Sequence, residues 1–121
     1  MAALDLSQQT LQPSPKVVTL TVAGEADAIN SLRAEQFFEG VLEADQPRHV
    51  LLDLSGLTFA GSAFFSSLLF WREEMTKRGG VLVMYGLRPE IASTMRILTL
   101  DHLLTVRPDQ QAALDALPRG A

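Results

Sequence analysis

The amino-acid sequence predicts an α/β protein with a mostly parallel sheet flanked by helices. Segments with the pattern of strands alternate along the chain with segments that have the pattern of helices. The middle strands are apolar along their whole length, as strands buried on both faces are. This alternation requires right-handed helical crossovers, and 121 residues are the length of one domain.

The first part of the chain predicts an edge strand, an internal strand and a helix. Residues 4–16 alternate weakly between apolar and polar and meet prolines, which cannot donate to a sheet ladder, so we expect an edge strand and a turn. β-Branched residues follow over 16–24 and stop at Gly24. From Asp27, a suitable N-cap, apolar side chains recur at helical spacing. These side chains are Ile29, Leu32, Phe37, Val41 and Leu42.

The rest of the chain continues the alternation. Residues 49–57 are an apolar run between Pro47 and Gly56, which predicts a strand buried on both faces. Residues 62–80 predict a helix that ends at paired glycines, with two cations in its last turn. The remaining elements are a buried strand at 81–87, a helix that starts at Pro89, a short strand at 103–106 and an amphipathic stretch at 108–117.

Composition excludes several classes of function. The net charge is −4 and the ten Lys and Arg are spread thinly, whereas nucleic-acid binding normally needs a basic patch. The chain has no cysteine, which excludes disulfides and thiolate metal sites and favours a reducing cytoplasm. It has no apolar run of the roughly 18 residues that span a bilayer, and no basic segment typical of a signal peptide. We therefore expect a cytoplasmic protein that neither binds nucleic acid nor inserts in a membrane.

Candidates for catalysis are few. His49 and His102 are distant in sequence from any suitable nucleophile, and we interpret them as surface or packing residues. Glu25 and Asp27 lack a His or Cys partner nearby, so they are interpreted as solvated caps and not as metal ligands. Asp53, near the end of a buried strand, is expected to cap a loop. The sequence thus predicts no catalytic residue, cofactor or metal, and a deep polar pocket around these carboxylates would favour an enzyme instead.

The stretch TFAGSAFF, residues 58–65, predicts a strand end that turns into a helix. It lacks the glycine spacing and lysine of a phosphate-binding loop, and Phe64 stands where a nucleophile elbow needs a second glycine. At about 100° per residue, one broad face of the following helix is apolar and should pack on the sheet. Phe70 falls on the opposite side with Ser66, so we expect it to be exposed. The apolar face comprises Phe64, Phe65, Leu68, Leu69, Trp71 and Met75.

Several motifs, taken in order, match those of one known family. TVAGEAD, residues 21–27, is similar to a Gly-Glu-Leu-Asp turn, and HVLLDLSGLTF, residues 49–59, to a central strand. Residues 77–104 are similar to a later strand, a helix and a closing Leu-Asp-x-Leu segment. Together these motifs resemble the STAS domain, the module of anti-sigma factor antagonists and sulphate-transporter tails, from about Val17 to Val106. The resemblance implies a STAS-like, mixed, mostly parallel sheet of four or five strands in a single domain over 1–121, with a core of about 16–107 and no catalytic chemistry.

The resemblance also implies a mode of action. In antagonist members the turn reads Asp-Ser-Ser-Gly-Leu, and a partner kinase phosphorylates the second serine; the unphosphorylated domain binds that anti-sigma kinase and frees the sigma factor. Aligned on Thr-Phe, the first four of these five positions are Gly61, Ser62, Ala63 and Phe64. A methyl group cannot accept a phosphoryl group. The resemblance therefore implies that this chain has lost the usual switch and has gained apolar bulk at the usual docking surface.

Three interpretations stay open. In the first, the domain binds an anti-sigma factor or serine-kinase-like protein constitutively. In the second, Ser62, Ser66 or Ser67 accepts the phosphate, although a serine at 62 also suits an N-cap worth about 1 kcal/mol. In the third, the chain is a STAS subunit of a membrane transporter complex and docks on its ATPase. A homodimer is also open. The residues expected to contact a partner are Glu25, Asp27, Gly61, Ser62, Ala63, Phe64 and Phe70.

Overall fold

The computed structural model describes residues 4–118. Within that range the chain forms six strands, four helices and a short 3-10 turn at Leu100–His102. The strands are β1 (Leu4–Pro13), β2 (Lys16–Ala26), β3 (His49–Asp53), β4 (Leu57–Ala60), β5 (Leu82–Tyr85) and β6 (Thr105–Arg107). The helices are α1 (Ala28–Asp45), α2 (Ser62–Lys77), α3 (Pro89–Ile97) and α4 (Gln110–Asp115).

The strands of the described residues form one sheet in the order β1-β2-β3-β5-β6, and β4 pairs with β2. β1 runs antiparallel to β2, and every other pair is parallel. The predicted mixed, mostly parallel sheet flanked by helices is confirmed. Residues 1–3 and 119–121, which the single-domain assignment included, lie outside the described residues, and that assignment stays a prediction.

The sheet has one strand more than expected because the apolar run at 49–57 is broken. β3 ends at Asp53, whose Oδ1 accepts hydrogen bonds from the Ser55 backbone N–H at 3.0 Å and from the Ser55 hydroxyl at 2.6 Å. A side chain that binds the backbone two residues on mimics a turn. The chain then continues as β4, which pairs further along β2, from Gly24 to Ala26. Asp53 therefore caps a loop, as predicted.

Both faces of the sheet are covered, which explains the continuously apolar strands. Leu20, Leu52 and Met84 are register neighbours on one face and share a buried cluster with apolar residues of α1, α2 and α3. On the other face Leu51 and Val83 pack with α4. Burial of a Leu, Val or Met side chain contributes about 1.5–3 kcal/mol each, so this double-sided packing holds the sheet together.

Helix α2 packs as its periodicity predicts. Phe64, Phe65, Leu68, Trp71 and Met75 are buried, and Leu69 is partly buried. The Trp71 ring stacks on Phe38 of α1 at a centroid distance of 4.7 Å and meets the edge of Phe64 at 5.9 Å. Aromatic pairs in these geometries add about 0.5–1.5 kcal/mol to the burial of their area, and the Phe38–Trp71 pair fixes α2 against α1.

Helix α1 forms as predicted, but it buries only some of its apolar side chains. Ile29 is 78% exposed and Leu32 is 56% exposed, whereas Val41 and Leu42 are buried. The first turns of α1 instead bury the small side chains of Ser31 and Ala34. Small residues let the helix lie close to its neighbours, and the larger side chains next to them then point outward.

Candidate functional site

The TVAGEAD segment, which comprises the end of β2 and the N-cap of α1, lies beside the turn before α2 at one end of the sheet. Gly24 has a φ of 102°, which suits glycine, and it introduces a register shift that lets β2 continue to Ala26 instead of stopping. The Thr58 hydroxyl donates to the Gly24 carbonyl at 3.0 Å, and the Gly61 N–H donates to the Ala26 carbonyl at 3.0 Å. Two segments more than thirty residues apart are thus joined into one surface.

Two acids occupy the loop side of this surface. Asp27 is the N-cap of α1, and its Oδ1 accepts from the Asn30 N–H at 2.8 Å, as predicted. The Asn30 side chain in turn donates to the Glu25 carbonyl oxygen at 3.0 Å, which holds the loop against the helix. Both carboxylates remain exposed. This end of the sheet therefore presents two exposed carboxylates, of which that of Asp27 is fixed by its bond to α1.

The start of α2 differs from the expected serine cap. Gly61 is the N-cap, no side chain caps this helix end, and Ser62 is the first helical residue. The N-cap role for Ser62 is therefore wrong, because its hydroxyl is one position too late along the chain to occupy the cap. Ser62 is exposed, and within residues 4–118 its hydroxyl forms no hydrogen bond. The side chain is free to meet another molecule.

Ala63 and Phe64 have different environments. Ala63 is exposed, so a methyl group stands on the surface at the second position of α2. Phe64 is 0% exposed and belongs to the main core cluster. The expectation that Phe64 adds apolar bulk to the docking surface needs correction, because its ring points inward toward Trp71 and supports the turn from beneath.

Phe70 is 45% exposed, which confirms the predicted orientation of its ring. Ser62, Ser66 and Phe70 follow one another at four-residue spacing and are all exposed, so they lie along one side of α2. Ser67 is instead buried, and its hydroxyl donates to Glu35 Oε1 of α1 at 2.6 Å. Of the three serines considered as phosphate acceptors, Ser62 and Ser66 are accessible and Ser67 is not.

Sequence reasoning missed Phe59. It is 51% exposed, pairs in register with Glu25, and its ring lies beside Gly61. The apolar neighbours in its strand gave no signal of this exposure, because the register shift at Gly24 decides which side chains of β4 are covered. Ile29, in the first turn of α1, is a second exposed apolar side chain near this end.

Two cavities of the described residues lie apart from the carboxylates considered for catalysis. Cavities of about 430 and 380 Å³ are present, and neither is lined by Glu25, Asp27 or Asp53. Within residues 4–118 no three His, Asp or Glu side chains come together as metal ligands would. Burial, aided by the Arg48 charge, lowers the pKa of His49, but this side chain lies at the other end of β3.

Comparison with known proteins identifies the family. The family model of the STAS domain matches residues 8–113, which is most of the chain, and the protein therefore belongs to the STAS domain family. This confirms the resemblance seen in the motifs. No curated protein matches the chain in sequence. Within residues 4–118, each helix falls short of the length or the apolar character that crossing a bilayer requires.

Solved structures show the same fold. The chain is similar to an anti-sigma factor antagonist from Mycobacterium paratuberculosis, with 24% identity, a TM-score of 0.83, and coverage of 95% of this chain and 94% of that chain. It is similar to the phosphorylated form of the Bacillus cell fate determinant SpoIIAA, with 13% identity, a TM-score of 0.68, and coverage of 92% and 97%. It also matches the murine anion transporter Slc26a9, with 14% identity and a TM-score of 0.69, over 93% of this chain and 21% of that chain. The STAS-like fold is confirmed.

Proposed function

We propose that this STAS domain is a regulatory protein of the anti-sigma factor antagonist type, which acts by binding another protein and not by catalysis. Its partner is an anti-sigma factor or a serine-kinase-like protein. The observation that carries the proposal is the exposure of Ser62 and Ala63 at the start of α2, beside Glu25 at the end of β2 and Asp27 at the start of α1. The similarity in fold to an anti-sigma factor antagonist supports it.

The surface that binds the partner, called the docking face below, combines apolar and acidic groups. Phe59 and Phe70 are half-exposed aromatic rings, which suit the anchor positions of a protein interface. Glu25 and Asp27 are exposed acids that suit the rim, where charge steers a partner with complementary basic residues. Phe64 supports this face from the core without touching the partner. The docking face consists of Glu25, Asp27, Phe59, Gly61, Ser62, Ala63 and Phe70.

Binding is constitutive in this proposal. A phosphoryl group would add about −1.5 to −2 charges to the start of α2 and disturb an apolar or acidic contact. Ala63 has no hydroxyl to accept it, so the contact at the second position of α2 depends on shape. The expected result is that the protein binds its partner equally well before and after incubation with that partner and ATP.

Ser62 is the alternative acceptor. Its hydroxyl is exposed and forms no hydrogen bond within residues 4–118, so a kinase that binds the docking face could reach it. Mass spectrometry after incubation with the partner and ATP distinguishes constitutive binding from phosphorylation of Ser62. Phosphorylation that is lost in Ser62→Ala and retained in Ser66→Ala would show that Ser62 is the acceptor. The proposal of constitutive binding would then give way to a phosphorylation switch at Ser62.

A second candidate function is docking in a membrane transporter complex. The observation that favours it is the similarity in fold to part of the anion transporter Slc26a9. In that case the same docking face would bind a nucleotide-binding subunit, the ATPase of the complex. The identity of the bound protein distinguishes the two functions, since one predicts an anti-sigma factor or serine kinase and the other a transporter ATPase.

Affinity capture from the native host, followed by titration of the purified partner, tests the proposal. Phe70→Ser should leave the fold intact and weaken binding at least about tenfold, because an interface anchor is typically worth more than 1.4 kcal/mol. Leu103→Ser is the matched control, since Leu103 is 48% exposed and precedes β6, away from α2. Equal affinity of both variants would refute the proposed docking face.

Asp27→Asn gives a second readout. Asparagine is as good an N-cap as aspartate, so α1 should keep its stability while the docking face loses one negative charge. A slower association rate at low ionic strength, with unchanged thermal unfolding, is expected if Asp27 steers the partner. The oligomeric mass of the protein, measured in the same experiment, decides whether the captured partner is a second copy of the chain.

A further inference from the structure

A basic cavity lies at the end of the sheet opposite the docking face. It has a volume of about 430 Å³ and lies where β2 and β3 begin and where α1 and α2 end. Its lining consists of Pro15, Lys16, Gln46, Pro47, Arg48 and Arg78. We propose that this cavity binds a small phosphate-bearing anion through Lys16, Arg48 and Arg78.

The charge of this cavity contrasts with that of the chain. Three of the ten Lys and Arg line it, although the net charge is −4. Asp45 Oδ1 lies 3.3 Å from Lys16 Nζ, and Asp45 Oδ2 accepts from Gln8 at 2.9 Å. Within residues 4–118, Arg48 and Arg78 form no ion pair. Two guanidinium groups are therefore available, and their paired N–H donors match phosphate oxygens.

Tight backbone contacts hold the cavity in shape. The Arg48 N–H donates to the Lys16 carbonyl at 2.7 Å, which joins the start of β2 to the loop before β3. A Cβ atom on Gly80 would overlap the Arg48 carbonyl oxygen, so glycine is needed for the turn after α2 to approach this loop. That approach brings Arg78 and Arg48 to the same cavity. The cations converge because of packing, although they are far apart in sequence.

The helix dipoles alone do not explain why the three cationic side chains line one cavity. A cation near a helix C-terminus stabilises the helix dipole, and this suffices for Arg78, the C-cap residue of α2. Lys16 instead begins a strand, and Arg48 lies in the loop before β3. The cavity volume also falls within the range of about 300–1,000 Å³ that small-molecule sites occupy. Lys16 is held by its ion pair with Asp45, and a ligand explains why Arg48 and Arg78 line the same cavity.

Isothermal titration calorimetry with inorganic pyrophosphate and with ATP tests this site. We expect saturable binding to the wild-type chain that weakens as salt is added, and a rise in the midpoint of thermal unfolding with ligand concentration. The double variant Arg48→Gln, Arg78→Gln should lose at least about tenfold in affinity, because it removes two charged groups whose hydrogen bonds are stronger than those of neutral groups. Cosedimentation with vesicles that contain phosphatidic acid decides whether the phosphate source is a lipid headgroup.

The matched control is Arg33→Gln with Arg72→Gln, which makes the same change in net charge on exposed positions of α1 and α2. An equal loss of affinity in both double variants, or no saturable binding of either soluble phosphate or the vesicles to the wild-type chain, would overturn the proposal. Thermal unfolding verifies that each variant is folded. Because the cavity and the docking face lie at opposite ends of α2, the Arg48 and Arg78 variant should bind the protein partner normally, so failure of one proposal leaves the other intact.

Discussion

The two ends of the sheet differ in charge and in the side chains that they expose. Where α1 and α2 begin, the exposed groups include the carboxylates of Glu25 and Asp27 and the ring of Phe59. Where the same helices end, Arg48 and Arg78 line a cavity. The helix dipoles favour Asp27 as the N-cap of α1 and Arg78 as the C-cap of α2, and the packing of the loop before β3 brings Arg48 to the same end as Arg78. An acidic protein thereby gains a basic site.

The two ends also differ in what recognition depends on. At the docking face, the proposed binding rests on apolar contact and shape, because Ala63 has a methyl group where the resemblance implies a phosphorylated serine. At the cavity, recognition rests on positive charge, which salt screens over about 8–10 Å at physiological ionic strength. Rising salt should therefore weaken anion binding more than partner binding.

The largest expected effect lies beneath the docking face. Phe64→Ala removes a ring that is 0% exposed and contacts Trp71, so the free energy of unfolding should fall by about 3–5 kcal/mol. Phe59→Ala removes a half-exposed ring from the same end and should cost about 1 kcal/mol or less. Chemical denaturation measures both values. A similar loss of unfolding free energy in the two variants would contradict the assignment of Phe64 as the supporting ring and Phe59 as the exposed ring.

At the opposite end, Gly80→Ala tests the close approach that forms the cavity. A methyl group at this position would overlap the Arg48 backbone, and forcing the two segments apart should cost about 1–3 kcal/mol. The affinity of the cavity for the anion should fall together with the stability. Gly40→Ala is the control, because an added Cβ there meets no atom within 4 Å and should stabilise α1 by about 0.5–1 kcal/mol. A neutral Gly80→Ala would contradict the packing described for this end.

The smallest expected effect is a pH dependence at the basic end. His49 is 2% exposed, and its Nδ1 accepts a hydrogen bond from the Val81 N–H at 3.1 Å, so the neutral ring is the form that fits. Burial, and then the neighbouring Arg48 charge, lower the pKa of His49 below its ordinary value of 6.5. The unfolded chain then binds the proton more readily, so this contribution to stability is present above pH 6.5 and is lost as the pH falls toward the lowered pKa.

Denaturation curves between pH 7.5 and about 5 measure this effect. His49→Gln should flatten the dependence over that range, whereas His102→Gln, which changes an exposed side chain, should retain it. A wild-type protein whose stability does not change as the pH is lowered through this range would contradict the burial described for His49.

Local patterns predicted much of the fold and part of the candidate site. The face of α2 from Phe64 to Met75 followed from a period of 3.6 residues, and the roles of Asp27 and Asp53 followed from side chains that bond to backbone within three residues. Helical spacing did not distinguish the exposed Ile29 from the buried apolar side chains of α1, because it does not show which neighbour a helix approaches most closely. Local patterns also placed Ser62 in the cap position, where a one-residue difference changes the role of the side chain.

The amino-acid pattern alone established the alternation of strands and helices and the absence of a hydroxyl at Ala63, because periodicity and residue identity are local properties. Folding in three dimensions decided which apolar rings are exposed and which cations meet. Phe59 owes its position to the pairing of β4 with β2, and Arg48 meets Arg78 because Gly80 allows two distant segments to touch. Such contacts depend on residues far apart in the chain, and no local pattern contains them.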